Sequence, residues 1–320
     1  MKTLPVFFSI DDNYAPWLAV ALNSLISNAS RDYQYDIVIL HEGLKEQNMD
    51  KLKALSKPGF DIRFQAINER FECIRTDFDG NKLHTIDKFT LTIFFRLFLA
   101  DMFPQYDKGI YIDSDIVLAG DIAELYNTPL EGNLIAACPD FSIQEIPPFI
   151  SYVTEYVGVD KSLDYINSGI LVMDLKQLRE VGMGKRFLEV LGKWQFYSIA
   201  PDQDYINAMC KGRIKYLDKC WNTMPNENHP PLDNPKLIHY NLFSKPWKKD
   251  GVQYEDLFWK YAADCGFIEE INAYKKSFTD EDRAREDARG GSMVETALKV
   301  LASDKPSFRY VFNNGLEQRL

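Results

Sequence analysis

Two carboxylates one residue apart, Asp113 and Asp115, interrupt the otherwise apolar run Tyr111–Val117. The run reads as a buried strand, and burying unpaired carboxylates is costly. Both acids must therefore meet water, a cation or a hydrogen-bond donor where the strand ends. In an extended chain residues i and i+2 project to the same side, so both can reach one ion. A hard divalent cation held by two carboxylates usually also carries substrate phosphates, which points to chemistry on a phosphorylated substrate.

Taken alone, Asp-x-Asp is a weak signal, because acidic pairs also cap turns and helices. Other candidates accompany it. Asp11-Asp12 follows an apolar run, Asn167-Ser168-Gly169 precedes another, and Pro201-Asp202-Gln203-Asp204 opens a helical stretch. For that quartet a helix cap is as good a reading as function, since acidic residues suit an N-terminal dipole. His239 follows the extended run Lys236–Ile238 and leads through Asn241 and Ser244 to Lys245-Pro246-Trp247. A histidine beside apolar residues is commonly a satisfied core residue, and a lysine beside Trp commonly lies over the ring.

The elements that must position these residues alternate. Strands are expected at Val6–Ile10, Ile37–Leu40, Ile62–Ile67, Gly109–Ile112, Leu134–Cys138 and Ile170–Asp174. Helices are expected at Pro16–Ser30, Lys45–Lys57, near Thr92–Met102, from Gly184 to Tyr197 and over Asp202–Cys210. Such βαβ alternation implies an α/β fold whose sheet is mostly parallel with helices on both faces. Ligands in these sheets sit beyond the carboxyl ends of the strands, where Asp11-Asp12, Asp113/Asp115 and Asp174 fall. Asp174 also suits a cap for the helix after it. Thr279–Gly291 is dense in alternating charge, and Gly290-Gly291 is expected to break it, giving a solvated helix and a short amphipathic piece, Met293–Leu301. The expected domains are 1–270 and a charged helical extension, 271–320.

With 320 residues, 46% apolar and 26% charged, the chain has the composition of an ordinary globular protein. Its formal net charge of −10 argues against broad nucleic-acid binding, which needs a basic footprint. The apolar stretch Val6–Ile10 is too short for a signal peptide, and no run approaches a membrane span. The tail's balanced charge is poor for anionic lipid surfaces, so at most peripheral membrane association is expected. Cys73, Cys138, Cys210, Cys220 and Cys265 show no paired spacing, which fits reduced thiols in a cytoplasm.

Together the motifs are specific. The chain resembles family 8 retaining glycosyltransferases, the family of bacterial galactosyltransferases and glycogenin. The resemblance is carried by Asp11-Asp12-Asn13-Tyr14, Arg96 in Phe94-Phe95-Arg96-Leu97, Tyr111–Val117, Asn167-Ser168-Gly169, Asp202-Gln203-Asp204, and His239 with Lys245-Pro246-Trp247. They appear in the family's order over roughly residues 4 to 270. The resemblance implies a GT-A fold (Rossmann-like, with a mixed, mostly parallel sheet), a UDP-sugar donor, and Mn²⁺ with Mg²⁺ as the alternative. It implies that Asp113, Asp115 and His239 hold the metal on the diphosphate, a donor set that suits Mn²⁺. It places Lys245 on the diphosphate, and Asp11, Asp12, Asn13 and Tyr14 at uracil and ribose. Ser114 and Asn241 join the donor site, and Arg96, Asp140, Asn167, Ser168, Asp202 and Gln203 lie by the donor sugar or phosphate. One departure stands out: the family usually has a glycine three residues after the histidine, and here Leu242 stands there. A side chain at that position is expected to hinder a backbone N–H from approaching phosphate, with Asn241 and Ser244 as alternative donors.

The implied reaction moves glucose or galactose to a hydroxyl of a glycan or glycolipid acceptor, with retention. Catalysis is expected from Arg96, Lys245, Asp202 and Gln203; losing one charge-stabilising contact costs roughly 3 kcal/mol in the transition state. A double displacement needs a carboxylate behind the sugar. Gln203 is a feeble nucleophile, and Asp202 or Asp204 is equally explained by hydroxyl binding, so front-face attack is favoured. The acceptor is expected in a bacterial cell envelope, such as a lipopolysaccharide core. Phe141–Tyr165, rich in Pro and aromatics, is the candidate acceptor loop or a packed lid. Two rival readings remain: a haloacid-dehalogenase-like phosphatase with Asp113 as nucleophile, and a non-catalytic sugar-nucleotide-binding protein.

Overall fold

In the computed structural model, which describes residues 2–67 and 91–320, the apolar runs without alternation become strands buried on both faces. β1 (Lys2–Ile10) and β2 (Tyr33–His41) pair in parallel from Lys2↔Tyr33 to Ile10↔His41. Each extends beyond its apolar stretch, because the ladder continues through polar residues once its centre is buried. β3 (Phe60–Ala66) lies parallel to β2, and β4 (Lys108–Ile112) parallel to β1. The helix Ala15–Asn28 starts with Pro16 in its first turn and buries Trp17, Leu18, Val20, Leu22 and Leu25. Its pattern is apolar nearly all round, as a helix enclosed by protein requires.

Over the described residues the chain forms two compact units. The first draws on residues 2–67, Gly109–Pro129 and Asp218–Ala284, and the second on residues 91–108, Leu130–Leu217 and Arg285–Leu320. The first holds the order β3-β2-β1-β4 and a small antiparallel ladder of β5 (Ile116–Leu118) with β9 (Leu237–His239). The second holds the order β7-β6-β8, from β6 (Ile135–Ala137), β7 (Ile170–Asp174) and β8 (Ile214–Tyr216). β6 is antiparallel to β7 and parallel to β8, so the seven-stranded sheet is mixed and mostly parallel, with flanking helices.

Several expectations shift. The 92–102 region is a 3-10 helix, Leu91–Leu97, followed by a short α-helix, Leu99–Met102. β8 has only three residues and carries no pattern that sequence could reveal. Gly290-Gly291 does not break the tail: one helix runs over Asp280–Leu301. Two glycines cost about 2 kcal/mol relative to alanine, which a long helix anchored by buried Thr296, Ala297 and Val300 absorbs. No described helix is long and apolar enough to cross a membrane. Cys138, Cys210, Cys220 and Cys265 are free thiols, and Cys73 lies outside the described residues.

Candidate functional site

In the first unit β4 ends at Ile112 and β5 begins at Ile116. Asp113 and Asp115 therefore sit in the bend between two strands instead of within one. Both are half-buried, and Ser114 between them is buried. β5 pairs Ile116 with His239 of β9, and the Tyr240 amide donates to the Asp115 carbonyl at 2.9 Å. This short ladder brings the imidazole to the carboxylates: His239 Nε2 lies 3.3 Å from Asp115 Oδ1 and 4.0 Å from Asp113 Oδ2. One ligand atom from each of Asp113, Asp115 and His239 falls within 4.8 Å of the others.

Two residues outside the expected set orient this cluster. The buried His239 Nδ1 lies 3.0 Å from Asn222 Oδ1. An amide oxygen can only accept, so Nδ1 carries the proton and the Nε2 lone pair faces the carboxylates. The Tyr111 hydroxyl donates to Asp113 Oδ1 at 2.9 Å. Tyr111 precedes Asp113 by two residues, so the same-side rule that linked the aspartates could have found it. Asn222 comes from a distant loop and has no local signal. Two hard carboxylates and an imidazole presenting its lone pair fit a divalent ion such as Mn²⁺.

Lys245 is also buried here, with Nζ 2.6 Å from Asp115 Oδ2 and 2.9 Å from the Tyr240 carbonyl. Burial opposes ionisation of Asp115, but the Lys245 ammonium outweighs it and holds the carboxyl well below its usual range. The lysine lies 5.1 Å from the Trp247 ring centroid, and Trp247 stacks on Trp17 at 4.5 Å. Lys245 is thus both the lysine over an aromatic and the cation at the carboxylates. Between His239 and Lys245, Leu242 adopts φ +53° and is 41% exposed. It keeps the left-handed backbone that glycine reaches without strain.

The turn after β1 has its own bonding. Asp11 Oδ1 accepts from the Asn13 and Tyr14 amides at 2.9 and 3.2 Å and so caps a 3-10 turn. Asp12 accepts from the Lys45 amide and Asn48 Nδ2, each at 2.8 Å, and pairs with Lys45 Nζ at 2.7 Å. Desolvation is offset by these partners, which hold the Asp12 carboxyl below its usual range. Asn13 and Tyr14 remain exposed, and Asn241 is half-buried.

In the second unit a buried network joins Arg96, Asp140, Asn167, Ser168, Asp202 and Gln203. Arg96 Nη1 donates to the Ser168 carbonyl at 2.6 Å, and Arg96 Nε lies 3.2 Å from Asp202 Oδ2. The Ser168 hydroxyl donates to that Asp202 oxygen at 2.7 Å, and the Ser168 amide to Gln203 Oε1 at 2.9 Å. Gln203 Nε2 donates to Asp140 Oδ2 at 2.8 Å, and Asn167 Nδ2 reaches that oxygen and Gln203 Oε1 at 3.3 and 3.2 Å. Ser142 donates to Asp140 Oδ1 through its amide and its hydroxyl. Asn207, also outside the expected set, clamps Ile166 through both its amide N–H and carbonyl, at 2.8 and 2.9 Å.

Asp204 and Asp174 are structural. Asp204 is fully buried and accepts from the Tyr152 and Tyr165 hydroxyls, each at 2.6 Å, and from the Ser198 hydroxyl. Burial raises its carboxyl to about 6 against these donors. A carboxylate so enclosed cannot attack a sugar. Asp174 caps the helix Leu175–Glu180 through the Gln177 amide.

The family model described as "Glycosyl transferase family 8" matches residues 5–251. A "Putative glycosyltransferase" of Haemophilus influenzae is 28% identical over 231 residues, covering 71% of this chain and 65% of that protein. The "Lipopolysaccharide 1,2-glucosyltransferase" of Escherichia coli is 24% identical over 277 residues, covering 82% of this chain and 78% of that one. Among solved structures, the WbbM bifunctional glycosyltransferase is 27% identical with a TM-score of 0.72, covering 86% of this chain and 52% of that one. The galactosyltransferase LgtC, solved with donor and acceptor sugar analogues, is 26% identical with a TM-score of 0.68, covering 81% of this chain and 95% of that one. With a mixed sheet matching these neighbours and a family match over most of its length, the chain belongs to glycosyl transferase family 8.

Proposed function

We propose that this chain transfers glucose or galactose from a UDP-sugar to a hydroxyl of a glycan or glycolipid, with retention of configuration. The observation that carries the reading is the convergence of Asp113, Asp115 and His239 within 4.8 Å, beside the buried Lys245. These three side chains would hold Mn²⁺, which when bound supplies positive charge to the diphosphate leaving group. Lys245 is close enough to the same carboxylates to add a fixed cation for a phosphate oxygen, and its buried stem excludes water around it. Asn222 keeps the imidazole in the tautomer that ligation requires.

Arg96, Asp140, Asn167, Ser168, Asp202 and Gln203 would bind the donor sugar through hydroxyls and amides. Front-face attack is supported by how these groups are engaged. Asp202 Oδ2 is held by Arg96 and Ser168, and Asp204 is enclosed by three hydroxyls. Gln203 offers an amide, a poor nucleophile. The acceptor hydroxyl then attacks from the leaving-group side and passes its proton to the departing phosphate oxygen. Asp11, Asp12, Asn13 and Tyr14 would take the uracil and ribose, with Ser114 and Asn241 at the diphosphate. The E. coli relative's name supports a cell-envelope acceptor, and free thiols at the described cysteines suit a cytoplasmic setting.

Calorimetric titration with UDP, in Mn²⁺ and then in EDTA, tests the reading. Binding that needs the metal and is lost in Asp113→Asn supports it. Binding that survives EDTA, or no binding under either condition, overturns the metal-held donor.

A further inference from the structure

Every residue of the helix Pro201–Met209 is buried, yet only Asp202 and Gln203 belong to the polar network. Within the second unit Tyr152, Tyr165 and Ser198 hold its Asp204, and a further support comes from the end of the chain. Tyr205 meets the rings of Phe187 and Phe308 edge-on, each with centroids 4.9 Å apart. Phe308 is fully buried, lies 3.9 Å from Phe196, and opens the helix Phe308–Asn313, which Ser307 caps. Beyond that helix, Glu317 accepts from Arg186 at 3.1 Å, Lys193 at 2.7 Å and Trp194 Nε1 at 3.0 Å. The Leu320 amide donates to the Met209 carbonyl at 2.8 Å, satisfying a carbonyl that the end of a helix leaves unpaired.

The contact is close enough to need glycine. Gly158 has φ +97°, and a Cβ there would lie 2.9 Å from Arg309 Cα. A tail merely resting on the surface would not approach the backbone so tightly.

We infer that residues 307–320 are a positioning element of the donor-sugar site: Glu317 fastens the segment to the Met183–Trp194 helix, and Phe308 and the Leu320 amide hold the Pro201–Met209 helix so that Asp202 and Gln203 stay in register with Arg96 and Ser168. The sugar-binding role of that network rests on the function proposed above; the mechanical role of the segment does not. A displacement of about 1 Å in a positioned group costs on the order of 100-fold in rate, so loosening this helix acts on turnover.

The test uses the whole chain with Phe308→Ala, Phe308→Leu and Gly158→Ala. Amide hydrogen exchange is followed by mass spectrometry, together with Mn²⁺-dependent UDP affinity and hydrolysis of UDP-glucose and UDP-galactose. In Phe308→Ala and Gly158→Ala we expect exchange over 201–209 to rise at least about tenfold while β1 and β2 keep their protection. Hydrolytic kcat should fall on the order of 10- to 100-fold, UDP affinity should hold within about twofold, and Phe308→Leu should recover most of the loss. Unchanged exchange over 201–209 when the 308–313 helix has loosened would overturn the inference. So would a parallel rise in β1 and β2 with a matching loss of UDP affinity, which marks general destabilisation. If the unaltered chain binds no UDP with Mn²⁺, the functional reading fails, and the exchange comparison still decides the positioning role.

Discussion

The Asp113, Asp115 and His239 cluster of the first unit and the polar network of the second are built on opposite plans. In the first, two carboxylates lie side by side, partly exposed, with like charges that the Tyr111 hydroxyl and the Lys245 ammonium help to compensate. In the second, Asp140, Asp202 and Gln203 are buried, and their oxygens accept from neighbouring amides, hydroxyls and a guanidinium. One region keeps its charge available to a ligand, at some expense of stability, and the other uses its polar groups to be rigid. A residue's type therefore does not foretell what its removal does; the completeness of its hydrogen bonding does.

The sharpest break in this contrast is a pair of aspartate variants. Asp140→Ala should cost about 3 kcal/mol of folding stability or more, because Gln203 Nε2 and the Ser142 amide lose their acceptor inside the protein. Asp113→Asn, the variant expected to lose metal-dependent binding of UDP under the proposed function, should leave stability unchanged or raise it by relieving repulsion from Asp115. Urea unfolding of both variants checks this, and equal losses would erase the distinction.

Asp204 sharpens the contrast through pH. Its ordinary value of 3.8 is raised to about 6 in the folded chain, so folding favours the protonated form. The stability it contributes is fully present below about pH 4 and is lost as pH rises through 6. At 1.36 kcal/mol per unit this is about 3 kcal/mol at most. Asp204→Asn cannot titrate, so the advantage of the unaltered chain over this variant should shrink between pH 4 and 7. A constant difference in urea midpoints would contradict it.

The smallest effect belongs to Leu242. Left-handed backbone costs a non-glycine residue about 1–2 kcal/mol, partly offset by the entropy glycine loses on folding. Leu242→Gly should therefore stabilise the chain by up to about 1 kcal/mol, read as a rise in melting temperature. A fall would show that the exposed leucine makes contacts of its own.

What the sequence disclosed followed the range of the interactions involved. The aspartate pair was legible because i and i+2 alternation is a local rule, and β1, β2 and β7 because strands buried on both faces are uninterrupted apolar runs. Asn222 and Asn207 were not, since each acts on a residue brought near only by the fold. Asp204 shows the limit most plainly: one position from Gln203 on the same helix, it faces Tyr152, Tyr165 and Ser198 and holds structure together. Helical geometry turns adjacent residues about 100° apart, so adjacency in a motif does not imply a shared role.

The β5–β9 ladder carries a consequence for the order in which this protein assembles. Lys245 and Asp115 meet across 130 residues of chain, and the pairing of Ile116 with His239 spans almost as far. Contacts of such long sequence separation close slowly, and during synthesis the carboxylates emerge well before their imidazole and ammonium partners. The carboxylate pair must therefore wait in the nascent chain, and under the proposed function capture of a metal ion by all three side chains would be a late event that reports completion of the first unit.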